Sequence, residues 1–424
     1  MMVFLGLGDI CGYYSQLEEG FHQIGVPCTL VNAFPSISYP RSRRPPLLGR
    51  IVETIAGQRV RCRRGSAMRR LYTMLQAFWM GWLFIWSLFT CRAYVFAGGI
   101  SFFPPYDLWI LKRLGKRVVI VFHGSDARPP YINGAVECEE DEHVVQCIAE
   151  ASQVKRRLRA IEKNSDVIVN HVLSSQFHER RVVAWLNIGI PYDVSRYIPP
   201  PRRDRPECFV VHAPTRPGPK GSARIEAAIT RLQAKGHRIA FTKLVGRPNA
   251  DVLTALRDCD FVVDELFSDT TMASLATEAA AFAKPAIVGL YGYDELRRRT
   301  VPDMLPPGVV CDADRVEEAI EHLIVDVEHR RSLGEQARAF VERQWNPARV
   351  AERFHQLIES TEPDSWYFSP GDVLYLHGWG LSHDQVRRRV AAVILSGGTP
   401  ALRLADKPRL EQAFDEFART AGPC

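Results

Sequence analysis

The sequence predicts an α/β protein built from two tandem doubly wound parallel sheets facing across a cleft, with a small helical appendage at the C-terminus. Three observations carry this expectation. Short apolar runs alternate with amphipathic helical stretches along most of the 424 residues, the pattern of parallel sheets covered by helices on both faces. The alternation stops once, between Leu186 and Pro206, in a stretch rich in proline and arginine, and then restarts. A chain of this length also exceeds what one compact core holds, so two domains are expected.

In the first half, strands are expected at residues 3–7, 28–33, 93–97, 118–122 and 167–170. The first helix, residues 13–24, turns Tyr14, Leu17, Phe21 and Ile24 to one face, and a longer helix covers residues 141–163. Residues 187–206 read as a linker. Strands resume at residues 209–213, 239–245, 261–266, 286–290 and 309–311, with helices at 223–234, 250–258, 272–282 and 316–327 between them. The division is therefore 1–186, linker 187–206, 207–360 and a tail 361–424. The tail holds an aromatic run at Trp366, Tyr367 and Phe368, then a glycine-aromatic turn over residues 375–382. Helices follow at 383–395, capped by Ser382, and at 408–419. The sequence assigns the tail no chemistry.

Hydrophobic content of 46% and charged content of 24% are those of a soluble globular protein. The formal charge of +6 is local: residues 41–70 hold ten arginines against one acid, Glu53. That argues for one anionic contact surface and against a nucleic-acid-binding protein. Ten cysteines without a Cys-x-x-Cys pair, and a start without a basic leader, predict a reducing cytoplasmic setting. Residues 71–91 carry no charge and include Phe78, Trp79, Trp82, Phe84, Trp86 and Phe89. A membrane span would separate strands of one sheet, so two readings remain. The helix lies peripherally on an anionic membrane, with the arginines from Arg59 to Arg70 meeting the headgroups, or it is wholly buried beside a solvated basic loop.

The candidate chemistry sits at strand ends. Val210 and Val211 lead through His212 into a proline and glycine loop carrying Arg216 and Lys220, followed by Gly221, Ser222 as a helix cap, and an amphipathic helix. A strand, a basic glycine loop and a helix N-terminus make a site for a diphosphate. Glu278 lies on a small-residue helix ahead of Lys284 and Pro285, where a carboxylate can take both hydroxyls of a ribose. His123, Gly124, Ser125 and Asp126 close the fourth strand, where this architecture places ligands. Gly6, Gly8 and Gly12 open the first strand-to-helix turn, which admits close approach of a phosphate or sugar. A dinucleotide cofactor there lacks the acid expected after the second strand, which ends in Asn32, Ala33 and Phe34. Each feature also has a plain structural alternative: a solvated basic loop, a packed histidine, a tight turn, a solvated glutamate.

These residues resemble the GT-B glycosyltransferases, specifically the retaining enzymes of glycosyltransferase family 4, across residues 1–359. The match is most specific from His212 to Gly221 and from Glu278 to Pro285. The resemblance implies two Rossmann-like domains, the first on the acceptor side and the second holding the nucleotide sugar. It also implies diphosphate binding by Arg216 and Lys220, ribose binding by Glu278, and sugar orientation by His123 with Gly124 and Asp126. The loop around Gly8 and Gly12 would approach the reacting centre. Transfer from a nucleotide-diphosphate sugar, a UDP-sugar first, to an acceptor hydroxyl would proceed with retention, without metal or cofactor. The acceptor is left open among saccharide, lipid-linked saccharide and small metabolite. One departure matters: the family's second glutamate, eight positions before Glu278, is Thr270, beside Asp269. The donor sugar is therefore open, and a catalytically inactive binding or partner protein is the alternative.

Overall fold

The computed structural model describes residues 2–34, 43–124, 126–138, 141–201 and 205–420. Arg41 of the basic stretch, Ser125 of the histidine loop and residues 202–204 of the linker lie outside them. The strands of the first half are β1 (Met2–Leu7), β2 (Cys28–Asn32), β3 (Cys91–Ala97), β4 (Arg117–Val121), β5 (Val167–Asn170) and β6 (Val182–Ala184). Those of the second are β7 (Cys208–His212), β8 (Ile239–Lys243), β9 (Phe261–Val263), β10 (Ala286–Gly289) and β11 (Val309–Cys311). A last strand, β12 (Tyr367–Phe368), comes from the tail.

The helices of the first half are α1 (Tyr13–Gln23), α2 (Leu47–Arg61), α3 (Ala67–Thr90), α4 (Tyr106–Arg113), α5 (Asp141–Lys163) and the short α6 (Trp185–Ile188). The second half adds α7 (Ser222–Ala234), α8 (Asn249–Asp258), α9 (Ser274–Ala281), α10 (Tyr293–Arg298), α11 (Val316–Val325), α12 (Val327–Gln344) and α13 (Pro347–Glu359). The tail holds α14 (His383–Gly397) and α15 (Pro408–Arg419).

Two sheets result, with orders β12-β6-β5-β4-β3-β1-β2 and β11-β10-β9-β7-β8. Every pairing is parallel except β12 with β6. The expected architecture of two doubly wound parallel sheets is present. Apart from the edge strands β8 and β11, the strands are largely buried on both faces, which is why they read as unbroken apolar runs such as Val118 to Val121. Chain order reverses beside β1 and beside β7. The loops following these strands therefore open into switch-point crevices, where such sheets bind ligands.

Three departures from the sequence expectation shape the site. Strand β9 stops at Val263, not at residue 266, so Asp264 and Glu265 lie beyond its carboxyl end. Helix α13 crosses back to the first half and packs on α1, with Arg117 donating to the Leu357 carbonyl at 3.0 and 2.8 Å. The tail is helical as expected, yet it also adds β12 to the first sheet and lays α14 against α5. Tyr131 donates to the Leu402 carbonyl at 2.9 Å and Lys155 pairs with Asp406 at 2.7 Å, fixing the tail to the first half. Ser382 does cap α14, in a reciprocal arrangement with Gln385.

Helix α3 is buried on one side only. Met80, Leu83 and Phe84 face the core, and Gln76 donates to the Ala33 carbonyl at 2.7 Å. The opposite face leaves Met74 71%, Phe78 59%, Trp82 50% and Phe89 82% exposed. The wholly buried reading is thereby excluded. No helix among the described residues is long and apolar enough to cross a membrane.

Candidate functional site

The loop after β7 is built differently from its expected form. Gly221, not Ser222, is the N-cap of α7, at φ 73°. A side chain there would be strained by that backbone, and its Cβ would stand 2.9 Å from Leu266 Cβ. Ser222 is already helical, and its hydroxyl lies 2.8 Å from His212 Nε2, while His212 Nδ1 lies 2.7 Å from the Val263 carbonyl. The carbonyl requires the proton on Nδ1, so Nε2 accepts from Ser222. Burial lowers the pKa of His212, which favours this neutral form.

The two loop cations are not equivalent. Arg216 is exposed, whereas Lys220 points inward, with Nζ 2.9 Å from Asp264 and 3.6 Å from Glu265. Burial by itself would lower the Lys220 pKa, but the two carboxylates outweigh it and hold the ammonium charged. Of the two loop cations, one is thus an exposed arginine and the other a lysine paired with acids.

Those acids are the main residues that the sequence reading missed. Asp264 is fully buried; Oδ1 holds Lys220 and Oδ2 has no hydrogen-bond partner. Glu265 is buried with Oε1 accepting from Ser268 at 2.8 Å and Oε2 from the Trp379 indole at 3.3 Å. Burial raises its pKa and Lys220 opposes the rise. Thr270 and Thr271 are also buried, and their hydroxyl oxygens lack partners. Unsatisfied buried polar atoms are costly, so their concentration along residues 264–271 marks a place that a polar ligand would complete.

Glu278 is 7% exposed and accepts from the Asn249 side-chain amide at 2.8 Å. Burial pushes its pKa up to about 7, with Asn249 opposing and the nearby Asp264 adding to the rise. Near neutral pH this carboxyl is therefore divided between its two protonation states.

In the first half, Gly8 leads to Asp9, whose carboxylate accepts from the Tyr14 amide at 2.9 Å and so closes the start of α1. Gly12 is the N-cap of that helix. His123 follows β4 by two residues and stands against α1, its Nε2 3.2 Å from the Tyr14 hydroxyl and its ring edge-on to Tyr13 at 4.8 Å. Burial lowers its pKa to about 3, so the imidazole is neutral at physiological pH. Asp126 is half-buried with its pKa raised by burial, and Arg157 donates to its backbone carbonyl.

A cavity of about 270 Å³ lies between the two halves. It brings together His123, Gly124, Asp269 and Thr270 from the expected set. Arg128, His171, Trp185, Glu265 and Trp379 join them, none of which the sequence reading selected. Arg216, Lys220, Glu278, Gly8, Gly12 and Asp126 are not in its wall, though Lys220 reaches it through Glu265. Asp269 is held by Arg128, both side chains buried, and this ion pair joins the two halves. Burial works against the Asp269 charge, but Arg128 outweighs it and keeps the carboxyl below its ordinary range. Asp269 thus stands in the cavity wall as an ionised carboxylate paired with Arg128. Among the described residues, no group of three or more His, Cys, Asp or Glu is placed to hold a metal ion.

No protein-family model matches the sequence, and no curated protein does. Among solved structures, the chain is similar to Anabaena HepE in complex with UDP and glucose, at 11% identity and a TM-score of 0.46, over 85% of this chain and 99% of that one. It is also similar to the catalytic domain of starch synthase IV from Arabidopsis thaliana bound to ADP and acarbose, at 11% identity and a TM-score of 0.48, over 85% and 99%.

Proposed function

We propose that the protein is a glycosyltransferase that moves a sugar from a nucleotide diphosphate to an acceptor hydroxyl, with retention and without a metal ion. The observation that supports this reading best is the cleft between two parallel sheets, with His123 on one wall and the unsatisfied Asp264–Thr271 segment behind the other. In this reading Glu278 receives the ribose hydroxyls. Lys220 retains one N–H donor beyond those directed at Asp264 and Glu265 and, with Arg216 and the start of α7, faces the diphosphate. His123, neutral, directs a hydrogen bond to the sugar or its departing oxygen. The bond from the anomeric carbon to the diphosphate breaks, a bond to the acceptor oxygen forms, and the acceptor proton leaves with the diphosphate.

Peripheral contact with an anionic membrane belongs to the same reading. Arg61, Arg63, Arg64 and Arg70 are exposed beside the apolar outer face of α3, which pairs charge attraction with insertion of aromatic side chains. That surface favours a lipid-linked acceptor.

Release of free nucleotide diphosphate from UDP-, GDP- or ADP-sugars in the presence of a chelator tests the proposal. Turnover of one donor, lost in Lys220→Ala, supports it. Tight nucleotide binding without turnover of any donor favours instead an inactive partner protein, which the commitment of Asp269 to Arg128 would suit.

A further inference from the structure

The C-terminal tail, to which the sequence assigns no chemistry, reaches the cleft. Its turn at residues 375–381 is fastened to both halves. Trp379 N–H donates to the Ile132 carbonyl at 3.2 Å, and the Trp379 carbonyl accepts from Gly134 N–H at 2.8 Å. On the other side Gly380 N–H donates to the Phe267 carbonyl at 2.8 Å. Gly378 adopts φ 71°, and a Cβ there would stand 1.9 Å from the Ile132 carbonyl oxygen, so this seating requires glycine. Such a seat fixes the one large side chain between the glycines. The Trp379 indole forms part of the cavity wall, with its N–H on Glu265 and the Arg128 guanidinium 5.8 Å from its ring centre.

An aromatic wall beside a few oriented polar groups is the composition of a small-molecule site, and a flat ring suits the apolar face of a sugar. Glu265 has the complementary chemistry. Its carboxylate has more acceptor positions than Ser268, Trp379 and Lys220 occupy, and the indole N–H fixes the direction of Oε2. Position 270 offers a hydroxyl and no acid, and Asp269 beside it is ion-paired with Arg128.

We infer that Trp379 and Glu265 together form the sugar subsite: the indole supplies the surface on which the donor sugar lies, and the carboxylate receives its hydroxyls. The tail is then part of the binding site. This inference rests on the glycosyltransferase reading and deepens it by assigning recognition of the sugar.

The test separates the nucleotide from the sugar. Calorimetric titrations with UDP, GDP and ADP, and with their glucose, galactose and N-acetylglucosamine conjugates, are run on the wild type, Trp379→Ala, Trp379→Phe and Glu265→Gln. For the nucleotide that binds, both Trp379 variants should hold the free diphosphate within about twofold of the wild type, and Glu265→Gln, which also removes a charge from beside Lys220, should lose less affinity for the diphosphate than for the conjugate. The conjugate should weaken by about tenfold or more in Trp379→Ala and Glu265→Gln. Trp379→Phe keeps the ring and loses the N–H, so it should bind with an intermediate loss and discriminate less between glucose and galactose. It also carries the test if Trp379→Ala fails to fold, as thermal unfolding would reveal. Variants that keep wild-type conjugate affinity, or that lose nucleotide and conjugate equally, overturn the subsite. A wild type that binds none of the nucleotides sinks the glycosyltransferase reading itself.

Discussion

Arg128, in the loop after β4, is bonded to Asp269, in the loop after β9, and this buried ion pair bridges the two halves of the molecule within the cleft wall. Removing one partner strands the other charge away from water. Asp269→Ala is expected to destabilise the protein by about 3–5 kcal/mol, whereas Arg128→Met combined with Asp269→Leu should cost less, since neither charge remains. Urea unfolding followed by tryptophan fluorescence checks both. A single variant as stable as the wild type would remove the pair as a structural link.

Glu278 gives a pH dependence of definite sign. Its carboxyl titrates near 7, and only the ionised form accepts both ribose hydroxyls. Nucleotide affinity should therefore rise as pH increases through about 7, approaching a tenfold change per pH unit on the acid side. In Glu278→Gln the affinity should be lower and this dependence lost. Calorimetry from pH 5.5 to 8.5 reads both. A flat wild-type profile would mean that Glu278 does not bind the ligand as a carboxylate.

The histidines give the opposite test, on the fold. His123 and His171 are held neutral by burial, with pKa values of about 3 and 4 against an ordinary 6.5. A depressed histidine pKa contributes stability that is complete above the unfolded value and declines as pH falls below it. Stability should thus fall steadily from about pH 6.5 to pH 4. His171→Gln should reduce the slope of that fall, measured as denaturation midpoint against pH. An unchanged slope would show that His171 does not report the acid sensitivity.

The apolar outer face of α3 predicts binding to vesicles. Wild type should sediment with phosphatidylglycerol-containing vesicles at low salt, and release should follow added salt because the arginine attraction is screened. Trp82→Glu combined with Phe89→Glu should abolish binding with little effect on unfolding, since both residues are exposed. Equal sedimentation of wild type and variant would exclude this surface.

Much of the fold was legible because buried parallel strands announce themselves as apolar runs. Residues 167–170 and 309–311 form strands over the bounds expected from sequence. β6 escaped notice because its three residues follow directly on Arg180 and Arg181, with no periodicity to separate them. The site was less legible. His123, singled out by its position at a strand end, does line the cavity, whereas Glu278, singled out by its motif, lies outside the wall. Glu265 was hidden by reading β9 three residues too long, which made it a strand residue instead of a loop residue. Arg128 lies in the same loop as His123, but His171 and Trp379 reach the cavity only through the meeting of segments far apart in the chain, and no local pattern encodes that. The commitment of Lys220 to Asp264 was likewise invisible, because 44 positions separate them.

The account stands most directly on nucleotide binding by the second half. A calorimetric titration with UDP, GDP and ADP, comparing the wild type with Glu278→Ala and Lys220→Ala, tests it first. The account predicts saturable binding of one nucleotide without added metal, weakened about tenfold or more by each substitution. Failure of the wild type to bind any of the three, or binding that both variants retain in full, would contradict it.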